Sequence, residues 1–241
     1  MSFFSNIINF ILPPRCAICG QVLDSNKGLC NKCISQIEFL KEPICYRCGQ
    51  PIIDGFSQKG KHLYCGNCLK KSRHIFRMSR SAYIYDDFSK KLILDFKFYD
   101  KTDLASLLAK MMYVAGNDIF EAGVDIIVPV PLHYTRIIKR RYNQSSLIAK
   151  ELGKLTGIKV EYNVLTKHKR TKPQVECNGL ERLNNVKGAF EVKHLNKLQG
   201  KRILLIDDVL TTGSTLKECA SAIKKSKPKS IDCLTVARAC I

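Results

Sequence analysis

Beyond residue 80 the chain alternates short apolar runs with stretches in which apolar residues recur every three or four positions. The runs Ile126 to Val130, Ile203 to Ile206 and Ile231 to Ala237 are rich in β-branched residues and bounded by Gly, Pro, Asp or Lys, the pattern of strands buried on both faces. Helical periods lie over 104–114, 145–155 and 215–225. This alternation predicts an α/β domain built on a parallel sheet flanked by helices. Ligands of such sheets gather at the carboxyl ends of the strands. At the other end of the chain, Met1 to Leu12 is apolar at helical spacing through Phe3, Phe4, Ile7, Ile8 and Ile11 and stops at Pro13-Pro14. It predicts an amphipathic helix packed on the protein's own surface. The segment has no basic n-region and runs into a cysteine knuckle instead of a cleavage site, so it is not read as a secretory signal. No window reaches the roughly 18 apolar residues of a membrane-spanning helix, and a cytoplasmic protein is expected.

Before residue 80 cysteine sets the pattern. Of 12 cysteines in 241 residues, eight form CxxC pairs: Cys16 with Cys19, Cys30 with Cys33, Cys45 with Cys48, and Cys65 with Cys68. The CxxC turn aims both thiolates at one metal, and four-sulfur sites favour tetrahedral zinc, so four pairs predict two structural zinc sites. Iron–sulfur sites usually show other spacings, and no βαβ pattern surrounds the pairs as a redox CxxC would require. The spacing suits two ribbons in sequence, first pair with second and third with fourth, while an interleaved pairing stays open. Gly20 and Gly49 follow the second cysteine of their pairs, where a knuckle calls for positive φ. Cys177, Cys219, Cys233 and Cys240 lack paired spacing; Cys219 and Cys233 read as small buried hydrophobes. Thiolate zinc sites fit a reducing compartment, which makes the sequon at Asn143 a chance match. The expected organisation is a zinc-ribbon module over 1–78 and an α/β domain over 79–241.

The segment after the second apolar run reads Asp207-Asp208-Val209-Leu210-Thr211-Thr212-Gly213-Ser214-Thr215 and leads into a helical period. Small residues let backbone amides converge, and a helix N-terminus adds positive potential, so the loop suits a phosphate. The two carboxylates repel a phosphate but suit hydroxyls or, through water, Mg(II). A phosphate and vicinal hydroxyls together describe a ribose 5-phosphate. An N-cap alone would need less than two aspartates and TTGST. No GxGxxG occurs, and Gly55 to Lys61 approaches a GxxxxGK[ST] loop but ends in His62.

Composition adds charge. Forty Lys and Arg against 21 Asp and Glu give +19, with 12 basic and 4 acidic residues in 1–80 and 28 and 17 in the remainder. The excess suits a polyanion or a phosphorylated substrate and equally a solvated basic surface. There is no Trp, so any base-stacking platform rests on Tyr and Phe; Tyr46, Phe56, Tyr64 and Tyr142 lie near cysteine or basic segments, although core packing is the expected use of most.

The DDVLTTGST segment resembles the PRPP-binding signature of type I phosphoribosyltransferases. The whole chain resembles the ComF family, in LPPRCAICG at 12–20, VPVPLH at 128–133, RRYNQ at 140–144 and KPQVECNGLERLNNVKGAF at 172–190. The resemblance implies that Asp207 and Asp208 hold the ribose hydroxyls as the catalytic pair, and that Thr211, Thr212, Gly213, Ser214 and Thr215 cradle the 5′-phosphate. By the same likeness the loop at Pro131 meets the diphosphate, with charge from Arg136, Lys139, Arg140 and Arg141, and 169–182 form a hood with Gln174, Arg182 and Asn185. It implies Mg(II) with PRPP, displacement of pyrophosphate through an oxocarbenium-like transition state, and a role in DNA uptake and natural transformation, with single-stranded DNA and competence proteins as partners. The alternative is a PRPP-dependent transferase acting on a nucleobase or amine, with purely structural zinc. Two departures stand out. Arg141 replaces a glycine usual in the family, which leaves the local backbone in question, and Thr211 stands where purine-salvage relatives often carry an aspartate general base, which argues against a standard purine substrate.

Overall fold

The computed structural model describes residues 13–24, 28–52, 56–59, 62–71, 73–98, 101–169 and 186–240. The helix expected over Met1 to Leu12, residues Gln174, Cys177, Arg182 and Asn185, and the side chains of Phe56 and Lys139 lie outside them. The cysteine-rich part contains helix α1 (Asn31–Ser35), the antiparallel hairpin of β1 (Phe56–Lys59) and β2 (His62–Cys65), and α2 (Gly66–Lys70). The α/β part begins with β3 (Ser79–Ile84), followed by α3 (Lys90–Phe98), α4 (Leu104–Ala115), α5 (Asn117–Glu121), β4 (Ile126–Pro129), α6 (Tyr134–Arg140) and α7 (Gln144–Thr156). Then come β5 (Leu165–Lys167), β6 (Phe190–Val192), β7 (Arg202–Leu210), α8 (Ser214–Lys224) and β8 (Ser230–Arg238). Strands β3, β8, β7 and β4 form one parallel sheet in that order, and β5 and β6 a separate antiparallel pair.

The sheet is buried on both faces, as continuous apolar strands require. Ile127, Leu204, Ile206, Leu234 and Val236 face α4 and α7, whereas Ile126, Val128, Ile203, Leu205, Ile231 and Cys233 face α8 and the β5–β6 pair. The three expected strands are β4, β7 and β8, and the three helical periods are α4, α7 and α8. Strand β7 differs in length: it continues past the aspartates to Leu210, because β8 pairs with it that far. Strand β4 stops earlier. Its last pair is Pro129 with Ile206, and Val130 N–H reaches the Ile206 carbonyl at 2.9 Å, but the Val130 carbonyl then accepts from Asn143 Nδ2 at 3.0 Å and the Asp208 N–H turns to Asp207 Oδ1 at 2.9 Å. From Asp207 onward one edge of β7 therefore has no neighbouring strand among the described residues.

The cysteine-rich part packs directly on this domain. Cys16, Ala17, Leu29, Cys30, Cys33 and Ile37 share one apolar core with α3 and α4. Residues 38–40 run antiparallel along β3, where Leu40 N–H meets the Ala82 carbonyl at 3.0 Å and Ile84 N–H the Glu38 carbonyl at 2.9 Å; this covers an edge that would otherwise invite pairing with another chain. Between the two parts, Arg77 donates to both carboxylate oxygens of fully buried Asp232, at 2.6 Å for the Nη2 contact. Met78 N–H fills Asp232 Oδ1 at 2.9 Å. Among the described residues no helix is long and apolar enough to cross a membrane.

Both knuckle glycines have positive φ, 76° at Gly20 and 70° at Gly49, but only one is crowded. A Cβ on Gly20 meets nothing within 4 Å, whereas on Gly49 it collides with the Ser79 carbonyl oxygen at the start of β3. Thermal melts should therefore show Gly20→Ala lowering stability by about 1 kcal/mol for the left-handed backbone alone, and Gly49→Ala lowering it clearly further. Equal losses would disprove the close approach.

Candidate functional site

The eight paired cysteines assemble in sequence. Cys16, Cys19, Cys30 and Cys33 bring their sulfurs within 4.8 Å of one another, and Cys45, Cys48, Cys65 and Cys68 do the same, which excludes the interleaved pairing. The knuckles match: Cys16 N–H bonds the Gln21 carbonyl and Gly20 N–H the Cys16 carbonyl, and Cys45 with Gln50 and Gly49 with Cys45 repeat the pattern. The Cys19–Cys30 and Cys48–Cys65 sulfurs stand 3.7 Å apart. A tetrahedron with Zn–S of roughly 2.3 Å places its sulfurs about 3.8 Å apart. Four thiols this close cannot all ionise without a cation: burial and then the charge of Cys45 push the Cys68 thiol up to about 12. Sulfur donors, tetrahedral spacing and mutual repulsion together fit a zinc ion in each cluster.

The second site lies on the part of β7 that β4 leaves open. Asp207 Oδ1 accepts the Asp208 backbone N–H at 2.9 Å and the Ser145 hydroxyl at 3.1 Å. Asp208 pairs with Lys97 Nζ at 2.8 Å, with both side chains largely buried. Beyond Leu210 the chain turns at Gly213, whose φ of 71° forms the left-handed N-cap of α8. The Thr212 and Ser214 hydroxyls lie 2.8 Å apart, and Lys217 Nζ reaches the Thr212 carbonyl at 3.2 Å. Asp207, Val209, Thr211, Gly213, Ser214, Thr215 and Leu216 line one small depression. The Asp207 carboxylate, hydroxyls and the start of an 11-residue helix thus converge, with Asp208 next in the chain, where a phosphorylated sugar would find acceptors and donors side by side.

Pro131 follows the last paired residue of β4. Arg140 sits apart from the depression, with its guanidinium 5.0 Å over the Phe98 ring and Nη1 3.5 Å from Gln144 Oε1. Arg141 answers the question raised by the missing glycine: its φ is 64°, so this exposed arginine takes the left-handed backbone that glycine would take without strain. Buried His133 caps α6, its Nδ1 2.9 Å from the Thr135 hydroxyl. Cys219 and Cys233 are buried, as expected, and burial pushes the Cys233 thiol up to about 12.

Two residues near the site were not anticipated, and a third, Lys167, belongs to the basic run 167–172 that the sequence places beside it. Lys97 lies in a segment without a motif, and Ser145 projects from the start of α7, which Asn143 caps through Ser145 N–H. Lys167 on β5 is the third: burial and then the charge of Arg136 bring its ammonium down to about 8, with Asp207 pulling the other way. Asp207 itself is pushed up to about 7, by burial first and by the charge of Asp208 second.

Comparison with known proteins finds a family for each part of the chain. The chain matches the double zinc ribbon domain family over residues 7–69 and the phosphoribosyl transferase domain family over 124–239. It is thus a phosphoribosyltransferase-type domain preceded by paired zinc ribbons. Competence protein F of Haemophilus influenzae is 32% identical to it over 240 residues, 97% of this chain and 99% of that protein. DNA utilization protein YhgH of Escherichia coli K12 is 29% identical over 89% of this chain and 92% of its own, and competence protein ComFC of Bacillus subtilis 26% identical over 90% and 87%. Among solved structures, the glutamine PRPP amidotransferase of Bacillus subtilis aligns with a TM-score of 0.40 at 15% identity, over 58% of this chain and 30% of that one. The chain belongs to the ComF family, together with competence protein F.

Two measurements check these assignments. Metal analysis should give two zinc ions per chain, falling to one on Cys45→Ser; a value well below two in the parent would refute the paired ribbons. For Asp207, the folded pKa lies above the unfolded value of 3.8, so the folded protein holds a proton that the unfolded chain releases. Stability should fall as pH rises from 4 to 7 and level off above. Asp207→Asn removes that penalty, so its melting temperature should gain on the parent between pH 4 and pH 8, by an amount equivalent to roughly 1 kcal/mol or more. A pH-independent difference would refute the shift.

Proposed function

We propose that the chain acts in the uptake or use of DNA by handling single-stranded DNA, and that its α/β domain over 79–241 binds PRPP or a related phosphoribosyl ligand with Mg(II). The observation that carries the sugar-phosphate assignment is the juxtaposition of Asp207 and Asp208 with the Thr211 to Thr215 loop at the open edge of β7. The ribose hydroxyls would donate to the two carboxylates in place of the Ser145 hydroxyl and the Lys97 ammonium, and the 5′-phosphate would lie against the loop amides and hydroxyls at the start of α8. Mg(II) would supply charge for the diphosphate. Pro131 stands on the loop that the family likeness assigns to it, and Arg136 and Arg140 follow on α6.

The printed names of the relatives, competence protein and DNA utilization protein, support the DNA part, as does the surplus of +19. Phosphate contacts through Lys and Arg imply steep salt dependence. A second reading, transfer of the phosphoribosyl group to a base or amine with purely structural ribbons, is favoured by the core that the first ribbon shares with α3 and α4. A pyrophosphate-release screen across candidate acceptors separates catalyst from binder.

Calorimetry with PRPP and Mg(II) should show binding by the parent, and loss of at least about tenfold in affinity for Asp207→Asn combined with Asp208→Asn. Unchanged affinity would remove the site. Single-stranded DNA affinity should drop by orders of magnitude as salt rises from low to physiological levels, whereas absent or salt-insensitive binding would reject the DNA reading.

A further inference from the structure

Of the aromatic residues that the sequence offered as stacking platforms, Tyr46, Tyr64 and Tyr142 are engaged elsewhere. Tyr46 stacks on His62 at 3.7 Å and meets Tyr64 edge-on at 6.0 Å, and the Tyr142 hydroxyl donates to the Phe96 carbonyl at 2.7 Å. A different surface is open. On α6, Tyr134, Ile137 and Ile138 are 65%, 41% and 76% exposed, at the i, i+3, i+4 spacing that places them on one helix face. Phe98, at the end of α3, is 58% exposed and carries the Arg140 guanidinium over its ring.

The two helix ends are tied together. Tyr142 holds the Phe96 carbonyl, Gln144 Nε2 reaches the Lys97 carbonyl at 3.4 Å, and Arg140 reaches Gln144. Lys97, next to Phe98 in the chain, is the residue paired with Asp208, so this surface adjoins the sugar-phosphate site. Its charge is one-sided: between Asp125 and Glu151 there is no carboxylate, while Arg136, Lys139, Arg140, Arg141 and Lys150 all fall in that interval. Tyr134 leans on the His133 ring with tilted rings 4.4 Å apart, and Phe98 on Arg140; the exposed remainder of each ring, among cations, suits a ligand with flat apolar faces and a polyanionic backbone. An acidic peptide matches the charge but leaves the rings without stacking partners.

We infer that single-stranded DNA lies across α6 and the end of α3, stacking bases on Phe98 and Tyr134 and setting its phosphates among Arg136, Arg140 and Arg141. The inference rests on the DNA-handling reading above and assigns it a surface that passes the mouth of the phosphoribosyl site.

Fluorescence anisotropy of a labelled oligothymidylate, with the zinc-loaded full chain, tests it. Phe98→Ala and Tyr134→Ala should each weaken binding about tenfold, whereas Phe98→Tyr and Tyr134→Phe should retain affinity. The salt slope should stay unchanged in these variants and become shallower in Arg136→Gln. Because both rings are exposed, melting temperature and PRPP binding should match the parent and certify the fold. If the parent binds and both alanine variants bind as well as it does, the surface is wrong and the DNA-handling reading stands. A parent that fails to bind overturns both. Equal loss of single-stranded and duplex binding would assign the face to backbone contacts and overturn the stacking.

Discussion

The candidate site depends on one mismatch in strand length. Strand β7 keeps its partner β8 through Leu210, but β4 gives out after Pro129: the Val130 carbonyl accepts from Asn143 Nδ2, and the Asp208 N–H that would have met it turns to Asp207 Oδ1. The backbone of β7 beyond Ile206 is therefore held straight from one side and left open on the other. Two carboxylates occupy this half-supported stretch. Had β4 continued, its next residues would fill the space where Ser145 and Lys97 now approach from α7 and α3. The open edge also explains the tension in the pair. Asp208 is neutralised by Lys97, whereas at Asp207 burial and the charge of Asp208 outweigh the amide, Lys97 and the Ser145 hydroxyl, so it holds its proton to near neutrality. Such an arrangement favours a ligand that brings hydroxyl donors to both groups.

The ribbons extend the support on the opposite side of the sheet. The second knuckle lies against the start of β3, where Ser79 N–H takes the Arg47 carbonyl at 2.8 Å, and Arg238 at the end of β8 donates to the Cys48 carbonyl. The first ribbon contributes cysteine side chains to the core under α3 and α4. Helix α3 in turn carries Lys97 in its last turn. A path of packed side chains thus leads from a metal cluster to the ion pair at Asp208, which makes the metal-bearing part a buttress of the site as well as a neighbour of it.

Much of this was legible in the residues. The apolar runs at 126, 203 and 231 announced three strands because both faces of the sheet are buried, so no polar alternation obscured them. The cysteine spacing gave the sequential clusters, and Gly213 with its small neighbours marked the turn into α8. The fourth strand was not visible, because Ser79-Arg80-Ser81 place polar side chains inside: Ser81 meets Thr235 at 2.6 Å and Ser79 meets Cys233 at 2.9 Å. Such pairing appears only once the partner strand is known. Lys97 was hidden for a related reason, since an ion pair between positions this distant in sequence leaves no periodic trace. Arg141 is the converse case, a residue whose type argued against the conformation that the loop nonetheless adopts.

The order of the sheet also bears on how the chain reaches this state. Strand β8 lies between β3 and β7, yet it is the last of the four along the chain. Strand β3 must wait for a partner more than a hundred residues away, and until then only the 38–40 segment covers it. Topologies dominated by such distant pairings fold slowly. The metal clusters, by contrast, close over short loops early in synthesis. The chain is therefore expected to carry folded, metal-loaded ribbons while its sheet is still incomplete, with the phosphoribosyl site the last part to form.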